Sequence, residues 1–213
     1  KDHNFHTIKT HQDFVKHVPV RDYEDLKDYF KRTVNGEENV LWKGKPTYIA
    51  KTSGTTSGAK YIPITKQSMP SHIEAAKNAL LCYIEETGNV DFVNGKMIFL
   101  QGSPELELKN GINIGRLSGI VAHFVPKYLQ KNRLPSWETN CIVDWEAKVD
   151  AIVEETKNEN MTLIAGIPSW VQMYYEKLQK SSNRKVGDLF KNLQLFVYGG
   201  VNYEPYRAKF EEM

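Results

Sequence analysis

The chain has 213 residues, 40% of them hydrophobic and 11% aromatic, which is enough apolar material for one large domain or part of a bigger one. Its 28 basic and 26 acidic residues nearly cancel to a net charge of +2, and no basic block is interleaved with aromatics, which argues against a nucleic-acid partner. No apolar run approaches the roughly 18 residues of a membrane span, the polar N-terminus is unlike a signal peptide, and Cys82 and Cys141 do not suggest a disulfide framework, so a cytoplasmic protein without membrane attachment is expected.

Tyr23, Leu26, Phe30 and Val34 recur at helical spacing in a charged segment and predict an amphipathic helix that ends at Gly36. Residues 46–51 mix Tyr, Ile and Thr and predict a short strand. This strand delivers Lys51-Thr52-Ser53-Gly54-Thr55-Thr56-Ser57-Gly58-Ala59-Lys60, with five hydroxyl side chains and two glycines between lysines. Short hydroxyls and backbone N–H groups donate many hydrogen bonds without bulk, as a phosphate tail requires. Glycine lets the backbone approach closely, and a terminal lysine supplies a point charge. The P-loop pattern Gly-x-x-x-x-Gly-Lys-Ser/Thr is not met, because three residues separate Gly54 from Gly58 and Tyr61 follows Lys60. The alternative reading of such a run is a polar surface turn.

A long helix is predicted from about Ser68, with Pro70 in its first turn, Ile73, Ala76, Leu80, Tyr83 and Ile84 as its apolar stripe, and Gly88 as its stop. Strand, glycine loop and helix in that order suit the holding of an anion. His72 on this helix could be catalytic, but it reads first as a solvated or capping residue. Residues 97–101 form a continuous apolar run ended by Gly102 and predict a buried strand. Residues 111–119 are glycine-rich and carry one arginine, leading into a predicted helix over 118–129. The Arg116 guanidinium could match the two oxygens of a carboxylate, or it could be a surface or structurally paired arginine.

Residues 135–140 read as a turn. Asp144 caps a predicted helix with the stripe Trp145, Val149, Ile152, Val153 and Thr156, and its acids and Lys148 read as a solvated face. Leu163-Ile164-Ala165 predicts a buried strand, so the glycosylation sequon that opens it, Asn160-Met161-Thr162, is discounted. Gly166 ends this strand, and Pro168 starts a helix with Val171, Tyr174, Tyr175 and Leu178 as its stripe. Residues 193–198 predict the last strand, running into Gly199-Gly200-Val201 and then a helix with Tyr206 and Phe210. Paired glycines let a flat base lie against the backbone, a plain tight turn being the alternative. Strands alternating with helices predict an α/β layered fold, a largely parallel sheet flanked by helices, with ligands gathered at the carboxyl ends of the strands. The chain begins at Lys1 and stops within the last predicted helix, so it is expected to be part of a longer protein.

The Thr52-Ser53-Gly54-Thr55-Thr56 core ending in Lys60 resembles the phosphate loop of adenylate-forming enzymes of the acyl-CoA synthetase and luciferase-like superfamily. The continuation Tyr61-Ile62-Pro63-Ile64-Thr65, with residues 18–26 and Asn39-Val40-Leu41-Trp42 upstream, is similar to the GH3 family of acyl-acid amido synthetases. The resemblance implies that residues 1–213 are part of a large N-terminal adenylation domain, with the family's later motifs and mobile C-terminal domain outside this stretch, so that the stretch alone would not turn over. It implies ATP and Mg²⁺ as cofactors, a carboxylic acid and an amino acid as substrates, and an acyl-adenylate between two half-reactions.

By the same resemblance, Thr52 (where the family often has Ser), Ser53, Gly54, Thr55, Thr56, Ser57 and Gly58 would hold the phosphates, and Lys60 would supply catalytic charge. Arg116 would meet the substrate carboxylate. Ile167, Pro168, Trp170, Val171 and Tyr174 would line the acyl pocket, although Trp170 and Tyr174 are equally readable as core aromatics. Gly199, Gly200 and Val201 would form the wall against adenine. An acyl-CoA ligase sharing the first half-reaction, or a nucleotide-binding module without catalysis, are the competing readings. Replacing Ser53 and Thr55 together by alanine in the full-length protein is expected to lower carboxylate-dependent ATP–pyrophosphate exchange at least about a hundredfold. The melting temperature should hardly move, because exposed polar substitutions change stability by only about 0.5 kcal/mol.

Overall fold

The computed structural model describes residues 3–52 and 58–213. Two short helices open the chain, α1 (His11–His17) and α2 (Tyr23–Val34). Each starts at a reciprocal capping box, Thr10 with Asp13 and Asp22 with Asp25, which satisfies orphan N–H groups of the first turn. Strands β1 (Tyr48–Lys51) and β2 (Tyr61–Ile64) flank the hydroxyl-rich loop. They are followed by the 19-residue α3 (Met69–Thr87), which Gly88 ends in the left-handed region at φ 66°. Then come β3 (Lys96–Leu100), β4 (Glu107–Lys109), β5 (Ile112–Gly115), α4 (Leu117–Ala122), α5 (Lys127–Gln130) and β6 (Arg133–Leu134). The chain continues through α6 (Trp137–Cys141), α7 (Trp145–Thr156), β7 (Met161–Gly166), α8 (Pro168–Ser182), α9 (Val186–Leu189), β8 (Leu195–Tyr198) and α10 (Glu204–Glu212).

The α/β class is as expected, but the strands divide between two four-stranded sheets, β2-β1-β5-β4 and β6-β3-β7-β8. The second is parallel throughout, with Ile98 opposite Leu134 and Ile164, and Ile164 opposite Phe196. The first is mixed: β1 and β5 run parallel, while β2 and β4 are antiparallel edges. Its β4–β5 hairpin turns on Asn110 and Gly111, both at positive φ, the Asn-Gly signal of a two-residue hairpin. The glycine-rich segment expected around 111–119 is therefore a strand, with Ile112 and Ile114 alternating into the core.

Each sheet is covered on both faces. In the parallel sheet, Ile98 and Ile164 pack with Val149, Ile152 and Val153 of α7 and with Val171, Tyr174 and Leu178 of α8. The neighbouring Met97 and Leu163 point the opposite way, onto Phe92 and the Leu80, Tyr83 and Ile84 edge of α3. The N-terminal end of α3 crosses to the mixed sheet, where Met69 and Ile73 join Ala50, Ile64 and Ile120. The other face of that sheet, Ile49, Ile112 and Ile114, packs on Val34 of α2. Among the described residues, no helix is long and apolar enough to cross a membrane.

Three local expectations are corrected. The helix expected over 118–129 is two, because Pro126 has no N–H and biases the residue before it away from helical geometry. The turn expected over 135–140 is the helix α6, capped by Ser136 and bolted to α7 through Glu155. The Glu155 carboxylate accepts from the Ser136 N–H at 2.7 Å, the Ser136 hydroxyl at 2.6 Å and the Thr139 hydroxyl at 2.5 Å. Lys148, expected on a solvated face, is 1% exposed.

The α4 helix presses so closely on the segment that follows β3 that a Cβ on Gly119 would lie 2.8 Å from the Ser103 carbonyl oxygen and 3.1 Å from the Pro104 Cα. Alanine gains about 1 kcal/mol of helix propensity over glycine, but the obstacle is main chain, and overpacking costs about 1–3 kcal/mol. Gly119→Ala in the full-length protein is therefore expected to lower the melting temperature by a few degrees, and an unchanged or raised value would contradict this packing.

Candidate functional site

Strands β1 and β5 are parallel neighbours, so the loop after Lys51 and the turn after Gly115 leave the same edge of the mixed sheet. The hydroxyl-rich loop is closed at its neck: the Thr52 N–H donates to the Lys60 carbonyl at 2.9 Å, and the Lys60 N–H donates to Thr52 Oγ1 at 3.3 Å. Ser53, Gly54, Thr55, Thr56 and Ser57 lie outside the described residues. Gly58 holds φ 84° with open space where a side chain would stand, a conformation in which glycine is unstrained. Tyr23, the first residue of α2, secures this neck from below. Its hydroxyl oxygen accepts from the Tyr61 N–H at 2.9 Å, and the Lys60 ammonium lies 5.1 Å from its ring centroid. Tyr23 was legible in the sequence only as part of an apolar stripe.

A cavity of about 310 Å³ opens beside the neck. Lys51, Thr52, His72, Arg116 and Ser118 line it over an apolar floor that includes Ile64. The fold thus brings together Thr52 and Arg116, which sit in distant parts of the chain, and adds His72, which the sequence offered first as a solvated or capping residue. Lys51, His72 and Arg116 make this rim basic, and Ser118 adds a hydroxyl. A larger hollow of about 530 Å³ lies between Tyr48, Met69, Ile73 and Phe124, but its wall is mainly apolar and contains none of the expected site residues.

Arg116 is the N-terminal flanking residue of α4 and makes no salt bridge among the described residues. Its aliphatic stem crosses the backbone of Gly102, where a Cβ would meet Arg116 Cδ at 2.6 Å. Gly102 follows β3 at the carboxyl edge of the parallel sheet, so Arg116 spans the two sheets' carboxyl ends.

The remaining expected residues lie along that second edge. Ile167 follows β7 and Gly200 follows β8; a Cβ on Gly200, at φ 84°, would lie 3.6 Å from Ile167 Cγ1. The expected adenine wall and the start of the expected acyl segment are therefore neighbours, with Gly199 open and Val201 45% exposed. Pro168 is the buried first residue of α8. Trp170 is half-buried, its ring 4.4 Å from that of Trp145. Val171 and Tyr174 have no exposed surface, and the Tyr174 hydroxyl pairs with Thr156 at 2.7 Å. The i, i+3, i+4 spacing that marked them as a stripe makes them core.

Lys148 lies behind this edge. Its ammonium donates to the Gln101 carbonyl at 3.0 Å and the Asn140 carbonyl at 2.6 Å. Burial, with the Arg116 guanidinium adding to it, lowers the Lys148 ammonium to about 8. Cys141 nearby works against that lowering, although burial pushes its own thiol up.

The model of the GH3 family N-terminal domain matches residues 1–141, two thirds of the chain and the whole of the first cavity. The chain belongs to the GH3 family. This GH3 chain is 33% identical over 125 residues to the indole-3-acetic acid-amido synthetase GH3.15 of Arabidopsis thaliana, covering 57% of the chain and 20% of that protein. It is 30% identical over 107 residues to the jasmonoyl-L-amino acid synthetase JAR6 of Nicotiana attenuata, covering 49% of the chain and 18% of that protein. The solved structure of the AtGH3.15 acyl acid amido synthetase in complex with 2,4-DB superposes with a TM-score of 0.57 at 20% identity, over 84% of the chain and 33% of that structure. The shared fold therefore extends past the family match. The chain spans about a fifth of the length of these curated relatives.

The lowered Lys148 value has a stability consequence. The folded chain releases this proton near pH 8, and the unfolded chain near the ordinary 10.5. Between those values the unfolded state binds more protons, so stability rises with pH, and the gain is lost as pH falls through 8. From pH 7.5 to 9.5, the stability of the full-length protein is expected to rise relative to its Lys148→Met variant by about 2 kcal/mol, read from paired denaturation curves. Parallel curves at the two pH values would contradict a charged, buried lysine.

Proposed function

We propose that residues 1–213 are part of the large N-terminal adenylation domain of an acyl-acid amido synthetase, and that the full-length protein adenylates a carboxylic acid with ATP and transfers the acyl group to an amino acid. The observation that supports this reading is one cavity lined by both Thr52, which is hydrogen-bonded to Lys60 across the ends of the hydroxyl-rich segment, and Arg116, which makes no salt bridge among the described residues. Phosphates and a carboxylate are the two anions that must be held together for the first half-reaction. A carboxylate oxygen bonds to the α-phosphorus of ATP, and the bond to the pyrophosphate oxygen breaks. In the second half-reaction the amino acid nitrogen bonds to the acyl carbon, AMP leaves, and the amine gives up a proton.

Both half-reactions depend on positioning and charge more than on a covalent nucleophile. Thr52 and the hydroxyls and N–H groups of residues 53–58 receive the phosphates, with Lys60 as the neighbouring cation. Arg116 receives the acid's carboxylate, its guanidinium offering two parallel donors. Gly199, Gly200 and Val201 flank the base, and Ile167 and Trp170 border the acyl group, while Pro168, Val171 and Tyr174 support that wall from the core. Among the described residues no cluster of three or more His, Cys, Asp or Glu side chains converges on a metal site. A Mg²⁺ ion held at the phosphates would supply positive charge against theirs. The balance of the chain's composition fits small-molecule partners, and the cytoplasm fits its two free thiols.

The test is ATP–pyrophosphate exchange by the full-length protein across aryl, indole and alkyl acids. Exchange that requires one of these acids, followed by amide formation with an amino acid, is the expected result. Thioester formation with coenzyme A in place of the amide would replace this reading with an acyl-CoA ligase. A folded protein that binds ATP but shows no exchange would overturn the enzymatic reading.

A further inference from the structure

Among the described residues, Lys148 is the charged side chain most completely removed from water, at 1% exposure. A buried ammonium is costly unless it is paired and hydrogen-bonded. Here no carboxylate pairs with it; two main-chain carbonyls do, those of Gln101 and Asn140. Gln101 is the residue between the end of β3 and Gly102. Asn140 belongs to α6, which Glu155 holds rigidly to the same helix that carries Lys148. Lys148 therefore ties the free carboxyl end of β3 to a fixed body, α6 with α7.

What lies on the other side of that tied segment is Arg116, whose stem crosses Gly102. We propose that Lys148 is a positioning residue for Arg116: by fixing the Gln101–Gly102 main chain it sets the platform on which the guanidinium lies, and so where the acid's carboxylate binds. The inference rests on the reading of Arg116 as the carboxylate receptor.

Two further features favour this role over a plain structural clip. Gln101 Nε2 and Asn140 Oδ1 are buried without a hydrogen-bond partner, on the same two residues whose carbonyls Lys148 holds. A clip selected for stability alone would satisfy those groups, since each orphaned polar atom works against folding. Lys148 and Arg116 also leave two cations near one sheet edge with no salt-bridge partner among the described residues. An anionic ligand would relieve that excess of positive charge, whereas a structural role gives no reason for it.

The experiment compares Lys148→Met, Arg116→Met and the double variant in the full-length protein, using an acid that supports exchange in the wild type. Arg116→Met and Lys148→Met are each expected to raise the KM for the acid about tenfold or more, with the KM for ATP changed less than about twofold. Because the two residues act through one contact, the double variant should be no worse than Arg116→Met alone. An unchanged acid KM in Arg116→Met would overturn the Arg116 reading and this inference with it. If Arg116→Met responds as expected, an additive double variant would overturn the positioning role alone, as would a Lys148→Met variant that raises both KM values alike. Should Lys148→Met fail to fold, Lys148→Gln keeps a donor for one carbonyl without the charge. A several-fold rise in acid KM is then expected, and a wild-type value overturns the proposal.

Discussion

The parallel sheet β6-β3-β7-β8 has apolar side chains on both faces, and burying both is the constraint from which the rest of this structure follows. Parallel strands need crossovers long enough to return the chain, and here α7 and α8 serve as both crossover and cover for one face. The opposite face requires a helix from elsewhere, and α3 supplies it with Leu80, Tyr83 and Ile84. At 19 residues α3 is longer than that face needs, and its first turns lie on the mixed sheet instead. One helix thereby braces two sheets, and His72 on its mixed-sheet end is placed in the cavity beside the loop neck.

Bringing the two sheets together in this way sets their carboxyl ends side by side. Gly102 is the junction. A side chain there would collide with Arg116, and its absence lets the arginine, delivered by β5 of one sheet, lie across the end of β3 of the other. The electrostatics of the region follow from the same packing. The Lys148 ammonium is held on carbonyls and not on a carboxylate, and Arg116 makes no salt bridge among the described residues, so two cations lie near this edge.

Helices were legible wherever local chemistry and periodicity agreed. Asp144, Pro168 and Gly88 sit at the boundaries that capping rules assign them, and the stripe of α8 faces the core as its spacing requires, while the α2 stripe is half-buried with Val34 on the mixed sheet. Misreadings came where one signal was allowed to outweigh another. Lys148 stands three residues after Trp145 and four before Ile152, on the buried stripe of α7, yet its charge suggested solvent. Asn110-Gly111 between alternating residues announces a hairpin, but it stands in a glycine-rich stretch that reads as leading into a helix. Nothing local could show that the Lys148 ammonium would find two carbonyls, because those come from residues 8 and 47 positions away in the chain.

By itself the sequence determined the α/β class and the order of most elements, since each depends on interactions among residues a few positions apart, and it carried the motifs that resemble the GH3 family. Only the tertiary structure decided the division into two sheets, the pairing of Thr52 with Arg116 in one cavity, the adjacency of Gly200 and Ile167, and the burial of Lys148. Strand partners and cavity walls are chosen by which faces can be covered together, and that choice is made by the whole chain in three dimensions.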